Sequence, residues 1–158
     1  MNVSMNIRIK KFKDEYADSF KTLNLEWIEE FFKIEEEDLK ILSNPQEYVI
    51  DKGGEIFFAI HNELVIGTSA MVPVKKGVFE LAKMAVTKPY QGKGIGRMLM
   101  ESSLKFANDS HANEVFLVTN DQLLPALELY NSSGFALDTN YDDNRYERGN
   151  TKLKLKLN

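Results

Sequence analysis

Apolar and polar residues alternate with a period of two at Ile7-Arg8-Ile9-Lys10, which predicts a first strand. From Asp14 to Phe32 the period lengthens. Phe20, Leu23, Trp27 and Phe31 recur at helical spacing with carboxylates between them, the pattern of an amphipathic helix. The acidic run Glu35 to Asp38 opens a second short helix, which Asn44-Pro45 ends or bends, since a residue before proline is pushed out of the helical region. Asp51-Lys52-Gly53-Gly54 reads as a turn and Ile56 to Ile60 as a strand. His61-Asn62-Glu63 turns the chain into Val65 to Val74, and Lys75-Lys76-Gly77 turns it again into Val78 to Val86. Three antiparallel strands in a meander follow.

The pattern then changes. A helix from Gly94 to Asn108, with Ile95, Met98, Leu99 and Phe106 as its buried stripe, separates the strand ending at Val86 from a strand at Val115 to Thr119. That is a βαβ unit, whose flanking strands are parallel and whose crossover is right-handed. The next helix carries Leu123, Ala126, Leu127 and Tyr130 on one face, and Gly134 suits its exit. A strand near Phe135 to Leu137 is expected to pair with Lys152 to Leu157, with leucines inward and lysines outward, a pattern that discourages edge-to-edge aggregation. No repeat or linker interrupts the chain. The expected class is mixed α+β, residues 1–158 as one domain: a central, mostly antiparallel sheet with one parallel βαβ crossover and helices on both faces.

Composition narrows the function. The chain has 158 residues, 43% of them hydrophobic and 28% charged, the balance of an ordinary globular protein. A formal net charge of −4 argues against broad nucleic-acid binding and suits a cationic partner or plain solubility. No apolar run approaches the ~20 residues needed to span a bilayer. The start, MNVSMNIRIK, lacks a signal-peptide core, so a cytoplasmic location is expected. With no cysteine, a disulfide frame, a thiolate metal site and a cysteine nucleophile are excluded. His61 and His111 stand apart in turn-like surroundings, and no metal is assigned.

The densest chemical signal is Gln91-Gly92-Lys93-Gly94-Ile95-Gly96-Arg97, between a strand and a helix. Glycines there let the backbone curl and approach a ligand, and the N–H groups converge where the helix dipole favours negative charge. A phosphate cradle results. It is not a Walker A loop, because Gly92-Lys93 is followed by Gly94 instead of Ser or Thr. Nor is it the dinucleotide fingerprint, since the third glycine comes one position early and the loop lies in mid-chain. The pattern left is Gln/Arg-x-x-Gly-x-Gly/Ala, filled by Gln91, Gly94 and Gly96. It resembles the acyl-CoA pyrophosphate loop of the GNAT-type N-acetyltransferases. The likeness runs from about Phe79 to Phe135, through Glu80 to Leu104, strand-ending Asn120, Ala126, Tyr130 and Gly134-Phe135.

The resemblance implies acetyl-CoA as co-substrate and two parallel strands splayed to admit its pantetheine arm. It assigns cofactor contacts to Met84, Ala85 and Val86, to Gln91 through Arg97, and to Asn120. It assigns Tyr130 as general acid toward the thioester sulfur and Glu80 as general base. On its strand Glu80 falls on the same face as Ala82 and Met84. Each role has a plainer counterpart: Tyr130 as part of a helix stripe, Glu80 as a paired carboxylate, Asn120 as a strand-end cap, Lys93 and Arg97 as solvated neighbours. Trp27, Phe31 and Phe32 fall where the family builds its acceptor pocket, though an aromatic stripe also serves a core. Glu29, Glu30 and Glu35 to Asp38 offer attraction to a polyamine or merely a solvated face. The expected activity is direct acetyl transfer to a primary amine, a small molecule before a protein amine. A catalytically silent acyl-CoA-binding sensor is the alternative, and a homodimer is compatible with either.

Overall fold

The computed structural model describes residues 6–140 and 147–157. The first half of the MNVSMNIRIK segment lies outside the described residues. The chain runs through β1 (Arg8–Lys11), a 3-10 turn (Asp14–Tyr16), α1 (Ala17–Phe31), α2 (Glu36–Ser43), a π-helical turn (Gln46–Ile50), β2 (Glu55–His61), β3 (Leu64–Lys75) and β4 (Val78–Val86). It continues through a second 3-10 turn (Lys88–Tyr90), α3 (Ile95–Asp109), β5 (Glu114–Thr119), α4 (Leu124–Ser132), β6 (Ala136–Leu137) and β7 (Thr151–Lys156). The seven strands form one sheet in the order β1-β2-β3-β4-β5-β7-β6. β4 and β5 are the parallel pair; the other pairings are antiparallel.

Alternation within β2 shows how the sheet is covered. Phe57 and Ala59 face a core that includes Ile95, Leu99, Met100 and Ala107 of α3. Ile56, Phe58 and Ile60 face a second core built on Phe20 and Ile28 of α1 and Leu42 of α2. Helices therefore pack on both faces, and a strand buried on both sides reads as a continuous apolar run. α3 buries Ile95 and Leu99 as expected, while Met98 and Phe106 are only half-buried. Its central Ser103 meets Ser69 of β3 at 2.8 Å, so a polar contact sits within the apolar stripe.

Two expectations shift. In α1 the buried stripe is Phe20, Leu23, Asn24 and Ile28. Phe31 is 58% exposed, because the stripe drifts around the helix and leaves Trp27 and Phe31 on its flank. The KLKLKL strand does not guard an edge. β7 lies inside the sheet between β5 and β6, with Leu153 buried. Its lysines are engaged: Lys152 lies 3.5 Å from Asp138 and 4.6 Å from the centroid of Phe116. The two-residue strand β6 takes the edge position.

Two members of the acidic run that opens α2, Glu35 and Asp38, are structural. Glu35 caps α2, and its N–H donates to Asp38 Oδ2 at 2.8 Å in a reciprocal capping box. Asp38 is fully buried. It accepts from Lys83 Nζ of β4 at 2.7 Å, from Arg148 Nη1 at 2.8 Å, and also from Arg148 Nη2. Glu35 Oε2 adds a 3.0 Å contact to the same guanidinium. Burial alone would raise the Asp38 carboxyl. The Arg148 hydrogen bonds and the Lys83 charge outweigh burial and hold it at about 2. Burial pushes the Lys83 ammonium down, against the upward pull of Asp38.

Removing the carboxylate charge takes away the anion that Lys83 and Arg148 share. Asp38→Asn is expected to cost about 3–5 kcal/mol in chemical denaturation at neutral pH. The folded-state carboxyl titrates below its unfolded value of 3.8, so its contribution is present above that value and lost as pH falls toward about 2. The stability gap between wild type and variant should narrow across that window by about 2 kcal/mol. A gap that stays constant from about pH 5 to about pH 2 would refute the assignment.

Candidate functional site

β4 and β5 pair only at Val78↔Glu114, Phe79↔Val115 and Glu80↔Phe116. Beyond that point β4 remains paired with β3 to Val86, and β5 with β7 to Thr119. The two strands diverge, and a cavity of about 310 Å³ opens between them. A β-bulge in β4 accompanies the divergence. Opposite β3 the register jumps from Ala70↔Ala82 to Thr68↔Ala85, which sets Lys83 and Met84 against Ser69. Lys83 adopts φ +53, a left-handed conformation that costs roughly 1–2 kcal/mol in a residue with a side chain. The extra residue sharpens the local twist and shifts the alternation. Met84 thereby packs with Phe79 and Leu81 against the α3 core and does not share the face of Glu80.

Met84, Ala85, Val86, Gln91, Asn120, Tyr130 and Glu80 line this cavity. Glu80 is 7% exposed. Tyr130, on α4, packs edge-on against Phe135 at 6.3 Å, and burial pushes its phenol up to about 12. Asn120 is already bonded at both ends: Nδ2 donates to the carbonyl of Arg148 at 2.8 Å and Oδ1 accepts the N–H of Gln122 at 2.9 Å. It ties the end of β5 to the segment that carries Arg148.

Gly92, Lys93, Gly94, Ile95, Gly96 and Arg97 follow at the start of α3, beyond the cavity wall. Gly92 and Gly94 have φ +74 and +84, and a Cβ built on either meets no protein atom within 4 Å. The space above the loop is open, as a cradle for a ligand requires. Helical bonding begins with Met98 N–H to Gly94 O at 3.2 Å, so the N–H groups of Ile95, Gly96 and Arg97 precede the i−4 ladder. The Ile95 side chain is core; only its backbone faces the loop. Gln91 Nε2 donates back to Val86 O at 2.9 Å and fastens the loop to the strand. Arg97 donates to Ser132 of α4 at 2.6 Å. Glu26 of α1 accepts from Thr87 Oγ1 at 3.1 Å and from the N–H of Lys88 at 3.2 Å, anchoring the loop's entry.

Lys83 and Arg148 escaped sequence reasoning, and both reach the cavity wall. Trp27, Phe31 and Phe32 line the same cavity, where the sequence offers them as either pocket or core. Trp27 Nε1 donates to Asn24 Oδ1 at 3.2 Å, and its ring faces the Arg148 guanidinium at 5.7 Å. Among the described residues no group of three His, Cys, Asp or Glu could hold a metal ion, and no helix is long and apolar enough to cross a membrane.

The sequence profile of the Acetyltransferase (GNAT) family matches residues 14–135, and the chain belongs to that family. It is 32% identical over 95 residues to N-acetyltransferase 8B of Rattus norvegicus, a match covering 57% of this chain and 43% of the rat protein. The chain thus spans less than half the length of that curated relative. An acetyltransferase of the GNAT family from Staphylococcus aureus Mu50 superposes with a TM-score of 0.89 at 22% identity, covering 97% of this chain and all (100%) of that one. An acetyltransferase from Salmonella typhimurium, solved with its cofactor acetyl-CoA, superposes with a TM-score of 0.77 at 15% identity over 96% and 94% of the two chains.

Gly94→Ala keeps the space but not the conformation. Thermal unfolding of that variant should show a loss of roughly 1–2 kcal/mol. Gly96→Ala, whose Cβ would meet only Leu129 Cδ2 at 3.3 Å, should lose less.

Proposed function

We propose that residues 1–158 form one acetyl-CoA-dependent N-acetyltransferase domain, which transfers an acetyl group to a primary amine by direct attack in a ternary complex. One observation carries this reading. Glu80, Tyr130 and Met84 to Val86 line one cavity between the diverging strands, and a glycine loop with open space above it follows β4. The Salmonella structure with acetyl-CoA supports the choice of cofactor. A cavity of about 310 Å³ suits a small-molecule acceptor before a protein one.

Bound acetyl-CoA would supply an acyl electrophile and a thiol leaving group. The N–H groups at the start of α3, with Gly92 and Gly94, would hold its phosphates, and Lys93 and Arg97 add positive charge. The unpaired edge of β4 from Met84 to Val86 offers N–H donors to the pantetheine amides and the acyl oxygen. One preorganised donor of that kind lowers a barrier by about 3 kcal/mol. Glu80 accepts a proton from the ammonium. The Tyr130 phenol stays protonated well past neutral pH. Full proton transfer to a thiolate, whose acid titrates near ~8.5, is uphill, so Tyr130 acts by donating a hydrogen bond to the departing sulfur. With no cysteine in the chain, direct transfer needs no acyl-cysteine intermediate.

A thermal-shift titration with acetyl-CoA, CoA and ATP tests the cradle. Saturation at about 100 times Kd stabilises the fold by about 2.7 kcal/mol, and both CoA species but not ATP should do so. Tyr130→Phe should lower kcat by roughly ten- to a hundredfold with little change in acetyl-CoA affinity. Glu80→Gln should lower kcat/KM and alter its pH profile. Unaltered turnover in the first variant, or an unaltered pH profile in the second, removes that residue from the mechanism.

A further inference from the structure

We infer that the acceptor is a monoamine on an apolar or aromatic body with no carboxylate beside the amine, neither an amino acid nor a polyamine. The inference rests on the acetyltransferase reading above and concerns the acceptor end of the same cavity. Among the described residues lining it, the charged ones are Glu80, Lys83 and Arg148. Both cations are engaged within the protein. Lys83 Nζ contacts Asp38 at 2.7 Å, and the Arg148 guanidinium is held by Asp38 from both nitrogens and by Glu35 at 3.0 Å. An α-carboxylate entering this space would have to compete with carboxylates already in contact, one of them fully buried. A buried charge without a partner of its own is strongly disfavoured.

The same network argues against a polycation. Four acidic residues on or beside α1 and α2 already hold cations. Glu35 and Asp38 hold Arg148, Glu37 meets Lys40 at 2.8 Å, and Glu30 meets Lys88 at 2.6 Å. A second or third ammonium drawn to them would have to displace a cation already in place.

The rest of this end is apolar. Trp27 and Phe32 stand perpendicular at 6.3 Å, and Ile41 completes the wall. Phe31 borders the cavity while remaining 58% exposed. Covering an exposed phenyl ring with an apolar substrate body removes surface from water and favours binding. Transfer forms the N–C bond as the C–S bond breaks. Of the three ammonium protons, one stays on the amide nitrogen, one ends on the CoA thiol, and one leaves to solvent by way of Glu80.

The test compares kcat/KM for phenethylamine, L-phenylalanine and L-phenylalaninamide, which share one body and differ at the α-carbon, and for hexylamine against spermidine. Phenethylamine and the amide should each exceed L-phenylalanine by at least about tenfold, the ratio of a 1.4 kcal/mol difference. The carboxylate leaves the amine of L-phenylalanine no more basic than that of phenethylamine, so ionisation does not explain a preference for phenethylamine. The amide, whose carboxamide lowers the basicity of its amine, is compared at equal free-amine concentration. Hexylamine should exceed spermidine. Phe31→Ala, at an exposed position, should raise KM for phenethylamine severalfold and leave KM for acetyl-CoA unchanged. L-phenylalanine equal to phenethylamine, or spermidine preferred to hexylamine, overturns the inference. Absence of turnover with every amine, while acetyl-CoA still shifts the melting transition, also overturns it and leaves the cofactor reading standing. Absence of that shift removes both.

Discussion

After Glu80 and Phe116 the two parallel strands stop pairing, and the site depends on that divergence. A parallel pair normally continues until its strands end, because an unpaired backbone donor or acceptor withdrawn from water costs free energy. Here β4 carries an extra residue at Lys83, which increases the local twist and turns the strand from its neighbour. Each strand keeps one satisfied edge, β4 through β3 and β5 through β7, and turns its other edge to the cavity. A gap lined by backbone groups is stable as a folded surface and chemically suited to an amide-bearing ligand lying along it.

The bulge has an electrostatic counterpart. Its left-handed residue is also the lysine that enters the buried cluster with Asp38. A strained backbone conformation persists when surrounding contacts over-determine it. The Lys83–Asp38–Arg148 contacts do so by joining β4, α2 and the segment after the undescribed stretch. The arrangement also orients Trp27, whose ring faces the same guanidinium. The Trp27 wall of the cavity and the strand distortion are thus coupled through one carboxylate. Glu26 extends the coupling to the loop by holding Thr87 and Lys88 from α1.

Much of this was legible along the chain. The meander, the crossover and the glycine loop follow from local period and from residues able to adopt positive φ, both properties of short segments. Gly92 and Gly94 are left-handed as a curled loop demands. The stripe of α1 was harder, because Trp27 and Phe31 obey helical spacing whether their side of the helix meets a sheet or a cavity. The lysine-leucine alternation of β7 was read correctly for its faces and for its pairing with Ala136–Leu137. Its place inside the sheet was not legible, since a two-residue period is the same at an edge and inside a sheet.

The sequence by itself determined the elements, the one parallel crossover, the curled glycine loop and the family to which the chain belongs. Tertiary structure alone decided what the charges do. Asp38 meets Lys83 across 45 residues of chain and Arg148 across 110. Nothing in a four-residue acidic run tells a solvated helix face from a buried clamp. The same holds for the bulge, which moved Met84 off the face of Glu80, and for the pairing of Asn120 with the Arg148 carbonyl. Periodicity and glycine conformations are local and can be read in order. Burial and ion pairing depend on which distant segments the fold brings within a few ångströms, and no local pattern encodes that.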